Sequence, residues 1–308
     1  MKTVRVRFQW FEKNFDIRNN LLLELLKAHE FDVKLVNDKT AHCDIEIVGT
    51  HKPFSAKLVN KISKLKNEIL SETKTNQEDL PFDYDLKTSN FGRRIWYTTE
   101  NLRPPAQEGF NGALSFDQDD FQDFNAYCPS WYGDIGINWA EINKVNNSDF
   151  ILSLLKTGRK LDEKHPERFG GFSNHLNSLN SFTISALRKL CRVEVFSPRT
   201  NKPLYKDSKI KGKFQFILCP EVDFYPGYVT KVLFEAYIAG AVPIYFGDIG
   251  IDENINRRAF INFKDFSTIA DLVSYVTQLD FLSYKKIYEQ PLLLSTPPLS
   301  KILGVILG

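Results

Sequence analysis

The sequence lacks most of the signals that announce a common chemistry. It has one methionine and four cysteines, Cys43, Cys128, Cys191 and Cys219, set far apart with no C-x-x-C pair. That spacing excludes a short disulfide framework and predicts buried thiols in a reducing compartment. The five histidines never stand at metal-ligand spacing with a carboxylate, so no metal site is expected. No G-x-x-x-x-G-K-[ST], G-x-G-x-x-G or G-x-S-x-G stretch occurs, which removes the ATPase, dinucleotide and α/β-hydrolase readings. No window reaches the roughly 18 apolar residues that a membrane span requires. The opening, MKTVRVRFQW, is charged and strand-like rather than a signal peptide. Charge of one sign is also missing. The net charge of +2 argues against a dedicated nucleic-acid surface.

What is present is the composition of a soluble globular protein, 43% hydrophobic and 25% charged. The 308 residues exceed one ordinary core and suit two domains. The charged run Lys156–Arg168 reads as a hydrated linker and sets the expected boundary, with domains at 1–158 and 159–308. In the first half, Val4–Phe11 alternates as a strand, with Val4, Val6, Phe8 and Trp10 on one face. Leucines at helical spacing predict a helix over Ile17–Lys27, followed by strands at Phe31–Val36 and Cys43–Gly49. Lys57–Ser71 is basic and amphipathic: a hydrated helix face, or alternatively a peripheral membrane contact. Glu72–Leu86 reads as a polar loop. Ile95–Tyr97 is a buried strand whose polar end, Thr98–Asn101, leads to the stop at Pro104–Pro105. Glu100 then stands at a strand's C-terminal edge, where α/β proteins bind ligands. Taken alone, such a residue is more often a loop cap or an ion-pair partner.

The second half is organised around Gly227–Asp248, GYVTKVLFEAYIAGAVPIYFGD. A strand at Phe214–Cys219 precedes it, broken by Pro220 and the turn Asp223–Gly227. Thr230 is the expected N-cap of a helix carrying Val232, Leu233, Ala236 and Tyr237, with Gly240 as its stop. Ala241–Gly247 is then a buried strand. Such a unit aims backbone N–H groups and a helix N-terminus at one point, which suits a phosphate. Further strands are expected at Phe172–Asn174 and Val193–Phe196, with helices at Ser181–Cys191, Ala270–Leu279 and Tyr284–Gln290. Leu299–Leu307 reads as a final helix or a partner contact. This count predicts an α/β protein with two Rossmann-like domains facing a cleft.

Cys219, Glu221, Gly227–Thr230, Ala236–Tyr237, Pro243–Tyr245, Gly247, Asn256 and Phe260–Asn262 form one ordered pattern. It resembles the donor-binding segment of the α-1,3/4-fucosyltransferases, glycosyltransferase family ten. Tyr97, Thr98, Glu100, Asn101 and Pro104 are similar to a second motif of that family, with Thr99 in place of its usual glycine. The resemblance implies a GT-B type fold with an acceptor-side N-terminal domain and a nucleotide-sugar C-terminal domain. It implies inverting transfer of L-fucose from GDP-fucose to a glycan hydroxyl, with no bound metal. Glu100 would be the general base. Glu221, Gly227, Tyr228, Val229, Thr230, Lys231, Tyr237 and Tyr245 would form the donor site, with Asn101, Arg188 and Arg192 as accessory groups. Animal and plant members carry an N-terminal membrane anchor, which MKTVRVRFQW does not resemble, so this chain is expected to work in the cytoplasm or peripheral to a membrane, as a bacterial or viral type of protein.

The departures lie at the donor site. The family has Glu-Lys after its G-Y-V-T, where this chain has Lys231 and Val232; Thr183 replaces an expected Arg, and Val222 an expected Asn. Either Lys231 takes over as the phosphate cation, helped by Arg188 or Arg192, or the donor pocket has changed. A changed pocket leaves two alternatives: transfer of a different nucleotide sugar in surface-polysaccharide synthesis, or an inactive module that binds carbohydrate or a partner. The acceptor is expected at Lys52–Phe54, Leu102–Phe110 and Pro129–Asp134, loops that carry no simple sugar code. No signal in the sequence fixes the oligomeric state.

Overall fold

Short apolar runs broken by polar turns build two parallel sheets. The computed structural model describes residues 1–11, 15–50, 91–104, 109–135, 167–172, 185–186, 188–189, 193–196, 206–221, 225–250 and 253–308. The first sheet contains β1 (Lys2–Gln9), β2 (Phe31–Leu35), β3 (Cys43–Val48), β4 (Phe91–Tyr97), β5 (Gly112–Ser115) and β6 (Asn125–Tyr127). Their order is β2-β1-β3-β4-β5-β6, with every pair parallel. Val6 sits opposite Ile45, and Ile47 opposite Ile95, all buried. The second half of β3 and Arg94–Trp96 of β4 are buried on both faces, as central parallel strands are.

The helix α1 (Leu21–Ala28) packs its leucines into the same core but starts later than Ile17. Asp16 Oδ1 accepts the Arg18 and Asn19 amides, which makes a local turn in place of helix. Asn20 then caps α1 by accepting the Leu23 amide at 3.2 Å. The opposite face of β1 holds a surprise. Arg7 is 2% exposed and pairs with Glu46, 0% exposed, at 3.1 Å; Arg94 reaches the other oxygen of Glu46 at 2.6 Å. Gln9 also donates to Glu46, and Arg7 donates to the carbonyls of Asp38 and Ala41. Each buried charge here has a partner, the condition for tolerating it inside.

The second sheet contains β7 (Glu167–Phe172), β8 (Val193–Phe196), β9 (Phe214–Pro220), β10 (Val242–Phe246) and β11 (Ile261–Asn262), ordered β11-β10-β9-β7-β8 and again parallel. Glu167 and Arg168, assigned above to the hydrated run, instead open β7. The strand expected at Phe172–Asn174 begins where β7 ends. The boundary at 158/159 lies outside the described residues, as do Lys57–Ser71, Glu72–Leu86 and most of Ser181–Cys191.

After β9 comes α3 (Val232–Ile238), following the short α2 (Trp131–Asp134) of the first half. Thr230 is not the N-cap of α3. Lys231 occupies that position without a side-chain cap, and the Thr230 hydroxyl accepts the Val232 amide at 3.4 Å. Gly240 ends the helix as expected, at φ 92°. Its N–H donates to Tyr237 O while that of Ala241 donates to Ala236 O, the paired bonds of a Schellman motif. The helices α4 (Ile269–Gln278) and α5 (Phe281–Tyr288) cover the other face of this sheet through Leu272, Val273, Val276, Tyr284 and Tyr288.

The last helix, α6 (Leu299–Leu307), leaves the second half. It packs on β4, β5 and β6 and touches α1, burying Leu299, Ile302 and Ile306. Arg93 Nη2 donates to Val305 O at 3.1 Å. Cys43, Cys128 and Cys219 are buried free thiols, and burial pushes Cys128 up to about 12. Among the described residues no helix is long and apolar enough to cross a membrane.

Candidate active site

In the first sheet β1 sits between β2 and β3, so the chain leaves β1 toward one side and returns on the other. Ligands of open α/β sheets bind at such a switch, beyond the strands' C-terminal ends. A pocket of ≈ 470 Å³ lies there. Trp10 and Phe11 follow β1, Gly49 and Thr50 follow β3, and Tyr97, Thr98 and Thr99 close β4; all line it. Phe15, Asp16, Asn19 and Asn20 add the wall leading into α1. From α2 come Ser130, Gly133 and Asp134, and from the second half comes Lys231.

The local backbone explains how the rings enter. Trp10 has φ 59°, left-handed backbone that a bulky residue rarely adopts. That turn directs the chain across the end of β3, where a Cβ on Gly49 would stand 2.7 Å from Trp10 O and 3.3 Å from the Phe11 ring. Glycine permits this approach. Phe11 stacks on Phe15 with centroids 4.2 Å apart and on Tyr97 at 5.8 Å, making one aromatic wall.

Charge enters through three lining side chains: Asp16, Asp134 and Lys231. Asp134 is open to the cleft, yet protein surrounds it closely enough that loss of bulk hydration raises its pKa; the Lys231 charge and a Ser130 hydrogen bond oppose that rise. Lys231 Nζ also lies 3.8 Å from Glu235 Oε1. Val232, at the position of the resembled family's lysine, packs against the hydrophobic core instead.

Behind Lys231, buried Glu221 organises the glycine loop. Its Oε1 accepts the Thr230 amide at 2.8 Å and the Tyr245 hydroxyl at 3.0 Å. Burial lifts this carboxyl to about 7, against the downward pull of those two donors. Gly227 has φ 84°, and a Cβ there would stand 2.8 Å from Phe116 O of the first half. Phe116 meets Tyr225 and Tyr228 edge-on at 5.1 and 5.4 Å, and the Tyr127 hydroxyl donates to Gly227 O at 3.1 Å. Trp131 stacks on Phe234 at 4.3 Å. The two halves are thus joined beside the pocket.

The expected site residues separate into three groups. Lys231 lines the pocket with Thr98 and Thr99; Glu100 follows directly, half-buried, with its side chain outside the lining. Its amide donates to Thr98 Oγ1 at 3.0 Å, and Asn101 continues the same turn. Glu221, Tyr228, Val229 and Tyr245 are buried and hold the loop from behind. Tyr237 is fully buried, its hydroxyl donating to Gln290 O at 2.8 Å, away from the pocket lining. Arg188 is exposed and does not line the pocket, while Arg192, Thr183 and Val222 lie outside the described residues. The expectation of amides free to meet a phosphate is only partly met. The N–H groups of Gly227, Tyr228 and Thr230 donate to Asp248 O, Tyr225 O and Glu221. Phe11, Phe15, Asp16 and Asn19 were not anticipated; the only signal was a cluster of aromatics just after a strand. A second pocket of ≈ 490 Å³, beside β11, contains none of the expected residues.

Comparison with known proteins finds similarities to one family. Residues 172–289 match the glycosyltransferase family 10 (fucosyltransferase) C-terminal model. A putative fucosyltransferase of Acanthamoeba polyphaga mimivirus is 30% identical over 158 residues, covering 48% of this chain and 26% of that protein. An α-(1,3)-fucosyltransferase of Helicobacter pylori is 25% identical over 229 residues, covering 65% and 47%. The matched stretch thus spans less than half the length of either relative. A crystal structure of an α1,3-fucosyltransferase with GDP-fucose superposes with a TM-score of 0.65 at 16% identity, covering 100% of this chain and 92% of the other. That likeness establishes the shared two-sheet, GT-B type fold. Residues 172–289 thus resemble the C-terminal domain of the glycosyltransferase family 10 fucosyltransferases, and the chain as a whole shares their fold.

Proposed function

We propose that the protein is an inverting glycosyltransferase that moves L-fucose from GDP-fucose to a hydroxyl of a glycan acceptor. The observation that carries this reading is Lys231: the second half extends it into the pocket formed at the strand ends of the first, beside Thr98 and Thr99. The match of residues 172–289 and a structurally similar α1,3-fucosyltransferase solved with GDP-fucose support the donor.

In this mechanism the acceptor oxygen attacks the anomeric carbon as the glycosidic bond to GDP breaks, and a carboxylate opposite the leaving group takes the acceptor's proton. Glu100, at the end of the β4 turn, is the proposed base. The oxocarbenium-like transition state gains from that negative charge as well. GDP leaves carrying new charge, which Lys231 meets; a long ammonium on a flexible stem follows a moving diphosphate. Glu221 and Tyr245 act on the donor indirectly, by fixing Gly227–Thr230. With Lys231 in this role, the proposed reaction needs no resident metal.

The test is release of GDP from GDP-fucose in the presence of a glycan panel, with GDP binding followed by calorimetry. Turnover that falls at least a hundredfold in Glu100→Gln, with GDP affinity retained, supports the reading. No GDP binding by the unmodified protein, or turnover indifferent to Glu100→Gln, overturns it.

A further inference from the structure

We propose that the groove beside β11 is a second binding site, taking a small aryl anion: a planar ring that carries a carboxylate or a phosphate. The inference is independent of the transferase reading, because this groove shares no lining residue with the pocket that holds Lys231. It encloses ≈ 490 Å³, within the size range of small-molecule sites. Its lining comes from residues 258–290, a stretch described without a gap. The 3-10 turns Arg257–Ala259 and Phe263–Asp265 flank β11 and meet α4 and α5 there.

The place for a ring is the first observation. Phe266 and Tyr275 line the groove with centroids 5.3 Å apart and planes tilted by 50°, an angled pair rather than a closed stack. Tyr275 is 41% exposed, so aromatic surface stays open to a third ring. Buried Ile261 and half-buried Ile287 give that ring an apolar floor.

The place for an anionic head is the second. Arg258, from the turn before β11, and Lys286, from α5, line the same groove, and both are exposed. Their sequence neighbours are engaged elsewhere: Arg257 donates to Gly250 O at 2.6 Å, and Lys285 pairs with Glu289 at 3.7 Å. A guanidinium matches the two oxygens of a carboxylate or phosphate, and an ammonium adds a point charge beside it. Asp265 lines the groove too, and supplies an acceptor for a hydroxyl or N–H on the ring. Apolar floor and paired cations from separate elements thus select for both parts of one molecule. Carboxylate and phosphate heads share this chemistry, and the experiment separates them.

The full chain is titrated calorimetrically with 2-naphthoate, 2-naphthyl phosphate, 2-naphthol and inorganic phosphate. At least one naphthyl anion should bind, at least tenfold more tightly than naphthol, a ring without the head, and inorganic phosphate, a head without the ring. The tighter of the two anions identifies the head. Arg258→Glu and Lys286→Glu should each weaken that binding about tenfold or more, the scale of a lost charge-assisted contact. Tyr275→Ala should weaken it about fivefold, the scale of a lost ring contact. All three are checked for wild-type melting, with Arg258→Gln and Lys286→Gln as replacements for a Glu variant that melts early. Lys231→Ala should change nothing, which separates this groove from the first pocket. The proposal is overturned if neither naphthyl anion binds at concentrations up to about 1 mM. Naphthol or inorganic phosphate binding as tightly as the naphthyl anions overturns it as well. So do folded variants of Arg258, Lys286 and Tyr275 with wild-type affinity, or binding that is lost in Lys231→Ala.

Discussion

Lys231 and Glu221 stand on the proposed donor side of the pocket, one an ammonium that reaches out and the other a carboxyl that stays buried. Lys231 is 47% exposed and its ion pair with Glu235 is loose, so folding gains little from it. Lys231→Ala should therefore leave the melting temperature within about a degree, yet weaken GDP binding ten- to a hundredfold, the scale of a lost charge-assisted contact of about 1.5–3 kcal/mol. Calorimetric titration checks both halves of that statement. Glu221 behaves oppositely. Its folded pKa of about 7 lies above the ordinary 4.5, so the native state holds a proton that the unfolded chain has released. Its contribution is fully present below about pH 4.5 and fades as pH climbs through 7, by on the order of 3 kcal/mol. Glu221→Gln keeps an oxygen for Thr230 and Tyr245 but cannot titrate. The stability difference between wild type and variant, from urea unfolding at pH 5 and pH 8, should shift in the variant's favour at the higher pH. The lysine's place in the pocket lining was legible in the sequence, because it stands one position from the resembled family's own. That of Glu221 was only half legible: the motif marked it as important, while its burial against Tyr245 is a tertiary fact.

Strands and helices were easier to read than the polar groups inside them. Periodicity located β1, β3, β4, β9, β10 and the last three helices to within a few residues. β5 and β6, four and three residues long, are too short for a periodic signal. The start of α1 slipped because Asp16 offers its neighbours' amides a competing turn, which leucine spacing does not reveal. The Arg7–Glu46–Arg94 network was invisible for a different reason: a charge on one face of a strand reads as solvent-facing until a third strand supplies its counter-ion. Glu46→Ala would leave two buried guanidinium groups without their carboxylate. A loss of about 3–5 kcal/mol is expected, measurable by denaturant unfolding, with little recovery in Glu46→Gln. At the pocket, Gly49→Ala should push β3 away from Trp10 and Phe11 and lower stability by about 1–3 kcal/mol, read by denaturant unfolding.

Across the whole molecule, the joint between halves depends on a glycine and several aromatic contacts. Gly227→Ala places a methyl against Phe116 O on left-handed backbone. A cost of about 2 kcal/mol is expected, together with weaker GDP binding, since the same loop leads to Lys231. A paired-domain plan was readable from the alternation of elements. The crossing of α6 was not, because an apolar nine-residue helix carries no address for the surface it will cover.

That crossing bears on how the polypeptide is made. The first sheet is specified by residues 2–127, but the helix that shields β4, β5 and β6 is encoded in residues 299–307. While ribosomes are still translating the middle of the message, the nascent first lobe carries a bare greasy flank. It can be sealed only when residues 299–307 have cleared the exit tunnel.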